Sequence, residues 1–432
     1  MNNHNDVSSN TVSIATANSP IDKTVEIPSS KSLTNRALCI SALSDGVCIL
    51  KNSLFSDDTL FFANALLNLG IKLEINQELN EIIVHGECGN IPAKNANVFV
   101  GNAGTAARFI TALASLGKGQ YHIDGVSRMR ERPMNELLTP LGEKGARFTY
   151  SHNPGYIPYN IHANGIEGGK INLSGTRSSQ PLSALLMIAP FMTSPAHISV
   201  NDSLVSEPFI DMTIQLMSRF GVEVKRNMLD FQIPLGQFYK AQEIRIEPDA
   251  TSASYFFAAA AVTGGRIVVS GIPSDSLQGD LAFLEILSKM GCKVYRKGLS
   301  VEVVGPSKLK GIDVNLSSIS DVAPTLAAIA PFAANPVIIS GIEHTRLQET
   351  DRINAICTEL KRLKVPVKEN QGGMCIFPKT PIGTTIKTYD DHRIAMAFSV
   401  TGLHTPGIKI ENPTCTSKTF PDFFEYFSKL TD

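Results

Sequence analysis

The first feature that this chain of 432 residues lacks is a long hydrophobic run. No apolar stretch approaches the roughly 18 residues that a helix needs to cross a bilayer, so we predict no membrane-spanning segment and no membrane partner. The chain also lacks an excess of positive charge, since 39 Lys and Arg residues face 40 Asp and Glu residues, for a formal net charge of −1. This balance argues against a nucleic-acid partner, and any anion site must come from cations that cluster locally.

Metal-binding patterns and targeting signals are also missing. The seven cysteines are scattered and never spaced as CxxC, which disfavours a zinc site and fits reduced thiols in the cytoplasm. Residues 1–20 are rich in Asn, Ser and Thr and have neither a basic start nor an apolar core. We therefore predict a disordered tail over about residues 1–20, rather than a signal or transit peptide, and a cytoplasmic protein.

What the chain does contain is a sixfold repeat. A short polar turn opens six times into a helix made almost entirely of small and aliphatic residues, with gaps of 73, 74, 73, 69 and 70 residues between equivalent positions. These positions are Ser32, Thr105, Ser179, Ser252, Asp321 and Asp391. A fixed period of this length indicates one supersecondary unit used six times. The helices begin at Ser, Thr, Asp or Gly, which favour helix starts with backbone N–H groups free for an anion.

A second, amphipathic helix recurs in step with the first and ends in glycine, followed by an alternating strand. The terminal residues are Gly70, Gly145, Gly221 and Gly291, with Lys364 in the fifth copy. Each repeat is therefore predicted to be βαβαββ, with one buried helix and one amphipathic helix that covers the sheet.

A longer symmetry predicts the domains. The segments EIPSSKS around Pro28 and IEPDATS around Pro248 are similar and lie 220 residues, or three repeats, apart. We therefore expect an α/β protein with two domains of three repeats each. Residues 29–247 form one domain, and residues 1–28 together with 248–432 form the other. Both crossovers fall at the proline-bearing segments, where a hinge is natural, and helix N-termini from the two halves face one another across a cleft.

Cations are concentrated at the junctions between loops and helices, which indicates a substrate with several anionic groups. The set comprises Lys31, Arg36, Arg108, Arg128, Arg130, Arg132, Arg177, Arg346, Arg352, Arg393 and Lys418. Three groups are candidates for proton transfer, namely Lys31, Asp321 and Glu349. Glu349 lies between Arg346 and Arg352, a setting that tunes the pKa of a carboxyl group. Walker A and GxGxxG patterns are absent, so nucleotide binding is not supported.

Seven motifs together resemble the 5-enolpyruvylshikimate-3-phosphate (EPSP) synthase family. They are PSSKSLTNRA, GNAGTAAR, RMRERP, SSQ, LQETDR, DDHR and CTSKTFPDFF. The resemblance implies a two-domain inverse α/β barrel that closes over its substrates. It also implies transfer of the enolpyruvyl group of phosphoenolpyruvate to the 5-hydroxyl of shikimate 3-phosphate, on the route to chorismate and aromatic amino acids, with no metal and no cofactor. The family is the target of glyphosate.

The resemblance also implies roles for individual residues. Catalysis would fall to Lys31, Asp321 and Glu349. Shikimate 3-phosphate would be held by Ser32, Arg36, Ser178, Ser179, Gln180, Ser206, Asp321, His344 and Gln348. Phosphoenolpyruvate would be held by Lys31, Asn102, Gly104, Arg128, Gln180, Arg352, Arg393 and Lys418. Asp321 would take the 5-hydroxyl proton, and Glu349 with Lys31 would handle protonation and deprotonation at the enolpyruvyl methyl group.

Four positions depart from the common family pattern. Ser29 stands where Gly is usual, Phe109 where Pro is frequent, Phe209 where Tyr is usual and Gln348 where Lys is usual. Gln348 removes a positive charge near shikimate 3-phosphate, and Phe109 bears on the response to glyphosate.

Three alternatives share part of this pattern. The sister transferase that acts on UDP-N-acetylglucosamine carries a cysteine in the loop before an Arg-Pro pair, whereas this chain has Ser127 there. An inactive anion-binding scaffold would lack the acid and base set, which is present. An RNA-end-processing enzyme would need a basic surface, which the net charge does not supply.

The protein is expected to be a monomer.

Overall fold

The computed structural model describes residues 10–432, which fold into short strands and helices. The helices are α1 Lys31–Ala42, α2 Asp57–Asn68, α3 Gly104–Leu116, α4 Ser127–Arg130, α5 Asn135–Glu143, α6 Gln180–Ile188, α7 Pro208–Arg219, α8 Ala250–Thr263, α9 Phe283–Lys289, α10 Ala323–Ile329, α11 Arg352–Arg362, α12 His392–Gly402 and α13 Phe423–Ser428. Short 3-10 helices span Ala189–Phe191, Gly279–Ala282, Ser320–Val322, Ala330–Phe332, Glu343–Leu347 and Pro413–Lys418. Between residues 10 and 432, no helix has the length and hydrophobicity needed to cross a membrane.

The strands are short. They are β1 Thr11–Ser13, β2 Asp22–Val25, β3 Val47–Lys51, β4 Leu73–Asn76, β5 Glu81–His85, β6 Asn95–Phe99, β7 Lys118–Asp124, β8 Arg147–Tyr150, β9 Tyr159–Asn164, β10 Gly169–Leu173, β11 Ala196–Val200, β12 Lys225–Asn227, β13 Asp230–Ile233, β14 Glu243–Arg245, β15 Arg266–Ser270, β16 Lys293–Lys297, β17 Ser300–Val304, β18 Ile312–Asn315, β19 Val337–Ser340, β20 Val367–Asn370, β21 Gly373–Ile376, β22 Thr385–Ile386 and β23 Lys409–Glu411.

The repeat predicted from the sequence is visible in the sheets. Of the six sheets in residues 10–432, five have four strands in one common order. In the second unit, β6 pairs in parallel with β7, β7 pairs antiparallel with β9, and β9 pairs antiparallel with β8. The equivalent sheets are β14-β3-β5-β4, β10-β11-β13-β12, β2-β15-β17-β16 and β18-β19-β21-β20. The βαβαββ unit is therefore confirmed for these five copies.

The sixth unit departs from the pattern because it has three strands in the order β1-β23-β22. Strand β1 pairs antiparallel with β23, and the N–H of Ile14 donates to the carbonyl of Ile408 over 3.0 Å. Val12 and Ile14 pack against the core of the second half. The predicted tail is therefore wrong for this stretch, which covers an otherwise open sheet edge. Residues 1–9 lie outside the described residues.

The ends of the amphipathic helices follow the predicted glycines. Gly70, Gly145, Gly221 and Gly291 have φ values of 88°, 113°, 86° and 107°. A residue with this left-handed backbone lets the chain leave a helix and enter a strand, and glycine adopts it without steric cost. Lys364 takes the same conformation, with φ 64°, and so occupies the place of the missing fifth glycine.

The hydrophobic core consists of two buried clusters. The first draws on residues between Leu33 and Leu277, and the second combines Ile21 and Ile27 with residues from 250 onward. Strand β2 pairs in parallel with β15 of the second cluster, while β14 pairs in parallel with β3 of the first. The chain therefore crosses between the clusters twice. The two crossing segments lie side by side, joined by a bridge between Ser29 and Pro248.

Candidate active site

Helix starts from both clusters meet at one cleft pocket. The first cluster contributes the N-termini of α1, α3 and α6. The second contributes the 3-10 turn before α10 and the N-termini of α11 and α12. Among the six repeat starts, α8 is the exception, because Thr251 on its first turn donates to the buried Asp280 instead of lining the pocket. The other five small-residue helices converge on the cleft.

Most of the site residues predicted from the sequence line this pocket. They are Lys31, Ser32, Arg36, Gly104, Ser178, Ser179, Gln180, Ser206, Asp321, His344, Gln348, Glu349, Arg352 and Arg393. The remaining three, Asn102, Arg128 and Lys418, line an adjoining pocket. Asp58 and Glu349 border both pockets. The structure therefore brings all of the residues implied by the family resemblance to one cleft. Of the wider set of cations, Arg108 donates to the carbonyl of Pro133 and Arg130 pairs with Asp124, and neither lines the two pockets.

Arg352 is the centre of the charge network. Its guanidinium is 3% exposed and contacts three carboxylates. Nη2 is 2.9 Å from Oε2 of Glu349, Nη1 is 3.1 Å from Oδ1 of Asp321, and Nε is 2.8 Å from Oδ2 of Asp391. Asp321 also receives Nη2 of Arg393 over 2.6 Å. One arginine thus fixes the two candidate acid–base carboxylates relative to each other.

The surrounding cations keep both carboxylates ionised. Burial alone would raise the pKa of Glu349, but the charges of Arg352, Lys418 and Arg132 hold it well below its usual value. Burial likewise opposes the charges of Arg393 and Arg352 at Asp321, and the net effect again lowers its pKa. Both groups are therefore carboxylates at neutral pH.

His392, beside Arg393, is uncharged, unlike the two carboxylates. Burial, followed by the charges of Arg393 and Lys31, lowers the pKa of this imidazole far below its usual value. Neither ring nitrogen has a hydrogen-bond partner within the described part of the chain. His392 is therefore a neutral group packed beneath the charged residues.

A second group of charges joins the two sides of the cleft. Asp58 places Oδ2 3.1 Å from Nζ of Lys31 and Oδ1 3.3 Å from Nζ of Lys418. Lys418 also lies 3.6 Å from Oε1 of Glu349 and donates to the carbonyl of Asn102 over 2.6 Å. Asp58 was missed from the sequence, because an acidic residue on the first turn of a helix is ordinarily explained by the helix dipole.

Arg128 fixes the segment that carries Glu349. Its Nη2 donates to the carbonyl of Gln348 over 2.8 Å, and its Nε donates to the carbonyl of Glu349 over 3.1 Å. The side-chain oxygen of Gln348 accepts from Arg352. The two bonds from Arg128 run between the first half of the chain and the second, so they hold the cleft together as well as shaping it.

Most of the hydrogen-bond donors of Arg36 bind protein acceptors, although the family resemblance implies that this residue binds substrate. Four of its five N–H groups donate to protein acceptors, which are Thr213, Ser32, Ser183 and the carbonyl of Phe209. Burial lowers its pKa to about 9. The guanidinium therefore supports the pocket wall and has at most one N–H left for a ligand.

Two aromatic departures noted in the sequence border that same side chain. The rings of Phe109 and Phe209 lie 5.5 and 5.6 Å from the guanidinium carbon of Arg36. Phe109 is completely buried on α3, whereas Phe209 reaches the pocket. Phe109 therefore acts on the site through the packing of Arg36, whereas Phe209 packs on Arg36 and also lines the pocket itself.

The pocket wall beyond Arg36 is polar. Ser178 Oγ accepts from the N–H of Gln180 over 3.1 Å at the start of α6. On the opposite side, His344 and the hydroxyl of Ser320 share a hydrogen bond of 2.9 Å, and burial lowers the pKa of His344. Arg177 is half-exposed, with Nε 3.8 Å from Oε1 of Glu136.

Comparison with known proteins decides the family. The family model described as EPSP synthase (3-phosphoshikimate 1-carboxyvinyltransferase) matches residues 15–427. The chain belongs to the EPSP synthase family. A 3-phosphoshikimate 1-carboxyvinyltransferase of Nostoc sp. is 51% identical over 98% of this chain and 100% of the relative. The chloroplastic enzyme of Arabidopsis thaliana is 43% identical over 94% of this chain and 82% of its own length. The names of these family members favour the shikimate interpretation over the UDP-sugar alternative.

Solved structures agree with this family at the level of the fold. An EPSP synthase from Acinetobacter baumannii superposes with a TM-score of 0.81 at 24% identity, covering 97% of both chains. The enolpyruvyl transferase NikO from Streptomyces tendae gives 0.77 at 16% identity over 96% of both chains. The fold is therefore the two-domain inverse α/β barrel of this transferase family.

Proposed function

We propose that this EPSP synthase family member transfers the enolpyruvyl group of phosphoenolpyruvate to the 5-hydroxyl of shikimate 3-phosphate and releases phosphate. The observation that carries the proposal is the placement of two ionised carboxylates, Asp321 and Glu349, on one buried arginine inside a cation-lined cleft. Both substrates carry a carboxylate and a phosphate, so the cations and helix N-termini suit them.

The cleft offers separate places for the two substrates. Shikimate 3-phosphate fits the wall formed by the start of α6, where Ser178, Ser179 and Gln180 lie beside Arg36. Phosphoenolpyruvate fits the opposite end, between Lys31 and the adjoining pocket of Asn102, Arg128 and Lys418. Glu349 borders both pockets and Asp321 lines the first, so we infer that both carboxylates reach the bond that forms.

The addition step joins the substrates. Asp321 accepts the 5-hydroxyl proton while that oxygen attacks the central carbon of phosphoenolpyruvate, and the methylene carbon gains a proton to become a methyl group. The proton comes from the pair Lys31 and Glu349. Glu349 can take part as an acid once phosphoenolpyruvate neutralises Arg352 and Lys418, because these cations otherwise hold its pKa low.

The elimination step reverses the proton movement at carbon. The methyl group returns a proton to the same pair, the carbon–carbon double bond forms again, and the bond to the phosphate oxygen breaks. The departing phosphate is stabilised by the cations that bound it in phosphoenolpyruvate. One acid–base pair thus serves both steps, as proton donor in the addition and as proton acceptor in the elimination.

The domain division belongs to the same proposal. Residues 29–247 form one domain and residues 1–28 with 248–432 form the other, so that each substrate contacts both halves. The two side-by-side segments near Pro28 and Pro248 support a hinge at this point. We further propose that the enzyme acts in the cytoplasm as a monomer, without a metal or cofactor.

Phosphate release tests the function directly. Purified protein should release phosphate only when shikimate 3-phosphate and phosphoenolpyruvate are both present. A parallel reaction replaces shikimate 3-phosphate with UDP-N-acetylglucosamine. Release in that reaction alone would replace the proposal with the UDP-sugar alternative, and release in neither would favour an inactive scaffold.

A further inference from the structure

Asp58 has no assigned part in the reaction, although it lies at the centre of the cleft. Its side chain is 4% exposed and borders both pockets. The two lysines that it contacts come from opposite sides, since Lys31 begins α1 and Lys418 ends the 3-10 helix Pro413–Lys418. One buried carboxylate therefore joins two ammonium groups across the cleft.

The backbone around Asp58 is fixed by a local hydrogen-bond motif. Ser56 and Thr59 form a capping box at the start of α2, with the N–H of Ser56 2.9 Å from Oγ1 of Thr59. The hydroxyl of Thr59 also donates to the carbonyl of Leu54 over 2.8 Å. Because the aspartate side chain is short, a fixed helix turn leaves its carboxylate little freedom.

We propose that Asp58 is a positioning residue for phosphoenolpyruvate, holding Lys31 and Lys418 at a set spacing and offsetting their mutual repulsion. This inference rests on the proposed function, in which both lysines bind that substrate. An ammonium has three donors, so contact with Asp58 leaves two on Lys31 to bind the anion. Lys418 also faces Glu349 and the carbonyl of Asn102, and it exchanges one of these contacts for the anion. Without the carboxylate, the two like charges repel and Lys418 turns away from the cleft.

Asp58→Asn is the direct test, because it keeps the shape and removes the charge. The KM for phosphoenolpyruvate should rise about tenfold or more, as expected when a hydrogen-bonded charge pair is lost. The dissociation constant for shikimate 3-phosphate, measured by titration calorimetry, should change by less than about twofold, since its wall does not include Asp58. A structural defect would instead affect both ligands.

Asp45→Asn provides a control for the loss of a carboxylate–lysine contact away from the cleft. Oδ2 of Asp45 lies 3.3 Å from Nζ of Lys240, and Asp45 lines neither pocket. Its KM values should stay within about twofold of wild type, since exposed polar substitutions cost little.

A double-mutant cycle with Lys418→Gln decides whether Asp58 acts through that lysine. In the Lys418→Gln background, the further loss from Asp58→Asn should fall well below tenfold, because coupled residues are not additive. Equal losses in both backgrounds, or an unchanged KM for phosphoenolpyruvate in Asp58→Asn, would overturn the inference. Wild-type protein that fails to release phosphate would instead refute the proposed function.

Asp58→Glu covers the case in which Asp58→Asn does not bind shikimate 3-phosphate. The glutamate keeps the charge but moves the carboxylate by one methylene, so the two lysines lose their spacing and the KM for phosphoenolpyruvate should again rise. A wild-type KM in Asp58→Glu would show that spacing does not matter and would overturn the inference.

Discussion

Glu349→Gln separates proton transfer from binding in this cleft. The substitution preserves the side-chain shape and removes a carboxylate that contacts Arg352 over 2.9 Å. General acid–base catalysis contributes about 10² to 10⁴-fold, so turnover should fall by that factor, or roughly 2.7–5.4 kcal/mol of activation free energy. Arg352 keeps Asp321 and Asp391, and Lys418 keeps Asp58. Arg132, 4.0 Å from Oε1 of Glu349, loses its carboxylate contact but keeps its hydrogen bond to the carbonyl of Asn102. The fold should therefore lose on the order of 1 kcal/mol.

The assay is initial-rate phosphate release as a function of both substrates, with thermal unfolding measured on the same samples. Glu343→Gln is the control, since this carboxylate lies in the same segment but accepts from Gln371 over 2.8 Å outside the cleft. Its turnover should match wild type. Turnover of Glu349→Gln within about tenfold of wild type would remove Glu349 from the mechanism.

The same variant should also change how stability depends on pH. The folded pKa of Glu349 lies below its unfolded value of about 4.3, so its ionised form stabilises the fold above that pH. This contribution disappears as the pH falls through the lower, folded value. The unfolding temperature of Glu349→Gln should therefore fall less than that of wild type when the pH is lowered from neutral to strongly acidic. Parallel curves for the two proteins would contradict the depressed pKa.

Three further predictions follow from the cleft. A methyl group on Gly104 would lie 2.4 Å from Nη2 of Arg132, so Gly104→Ala should displace that guanidinium. Phosphoenolpyruvate binding should weaken, and glyphosate binding should weaken more. Equal losses for the two ligands in inhibition assays would contradict this prediction. The two domains should close on substrate, and small-angle scattering should show a smaller radius of gyration with both ligand sites filled than empty. Arg177→Ala should raise the KM for shikimate 3-phosphate severalfold, and much less in a Gln348→Lys background if Arg177 replaces the missing lysine charge.

Much of this molecule could be predicted from the sequence because the information is local. The repeated unit could be predicted from a period of about 70 residues, from the helix starts and from the glycines that end the amphipathic helices. The two proline segments predicted that β2 and β14 are exchanged between the halves. Site residues were found for the same reason. They lie at helix N-termini, where short motifs such as LQETDR and DDHR keep their spacing whatever the rest of the chain does.

The tertiary structure decided what each charged side chain faces. Asp58 and Lys418 are 360 positions apart in the chain, and no local pattern indicates that one carboxylate would bridge two lysines. The burial of Arg36 among protein acceptors depends on α7 docking beside α1, and the pairing of β1 depends on an open edge at β23. Sequence patterns therefore determined most of the groups that reach the cleft, with Asp58 the exception. Long-range packing determined which of them are paired, ionised and free to bind a substrate, because electrostatic energies depend on distance and burial rather than on position along the chain.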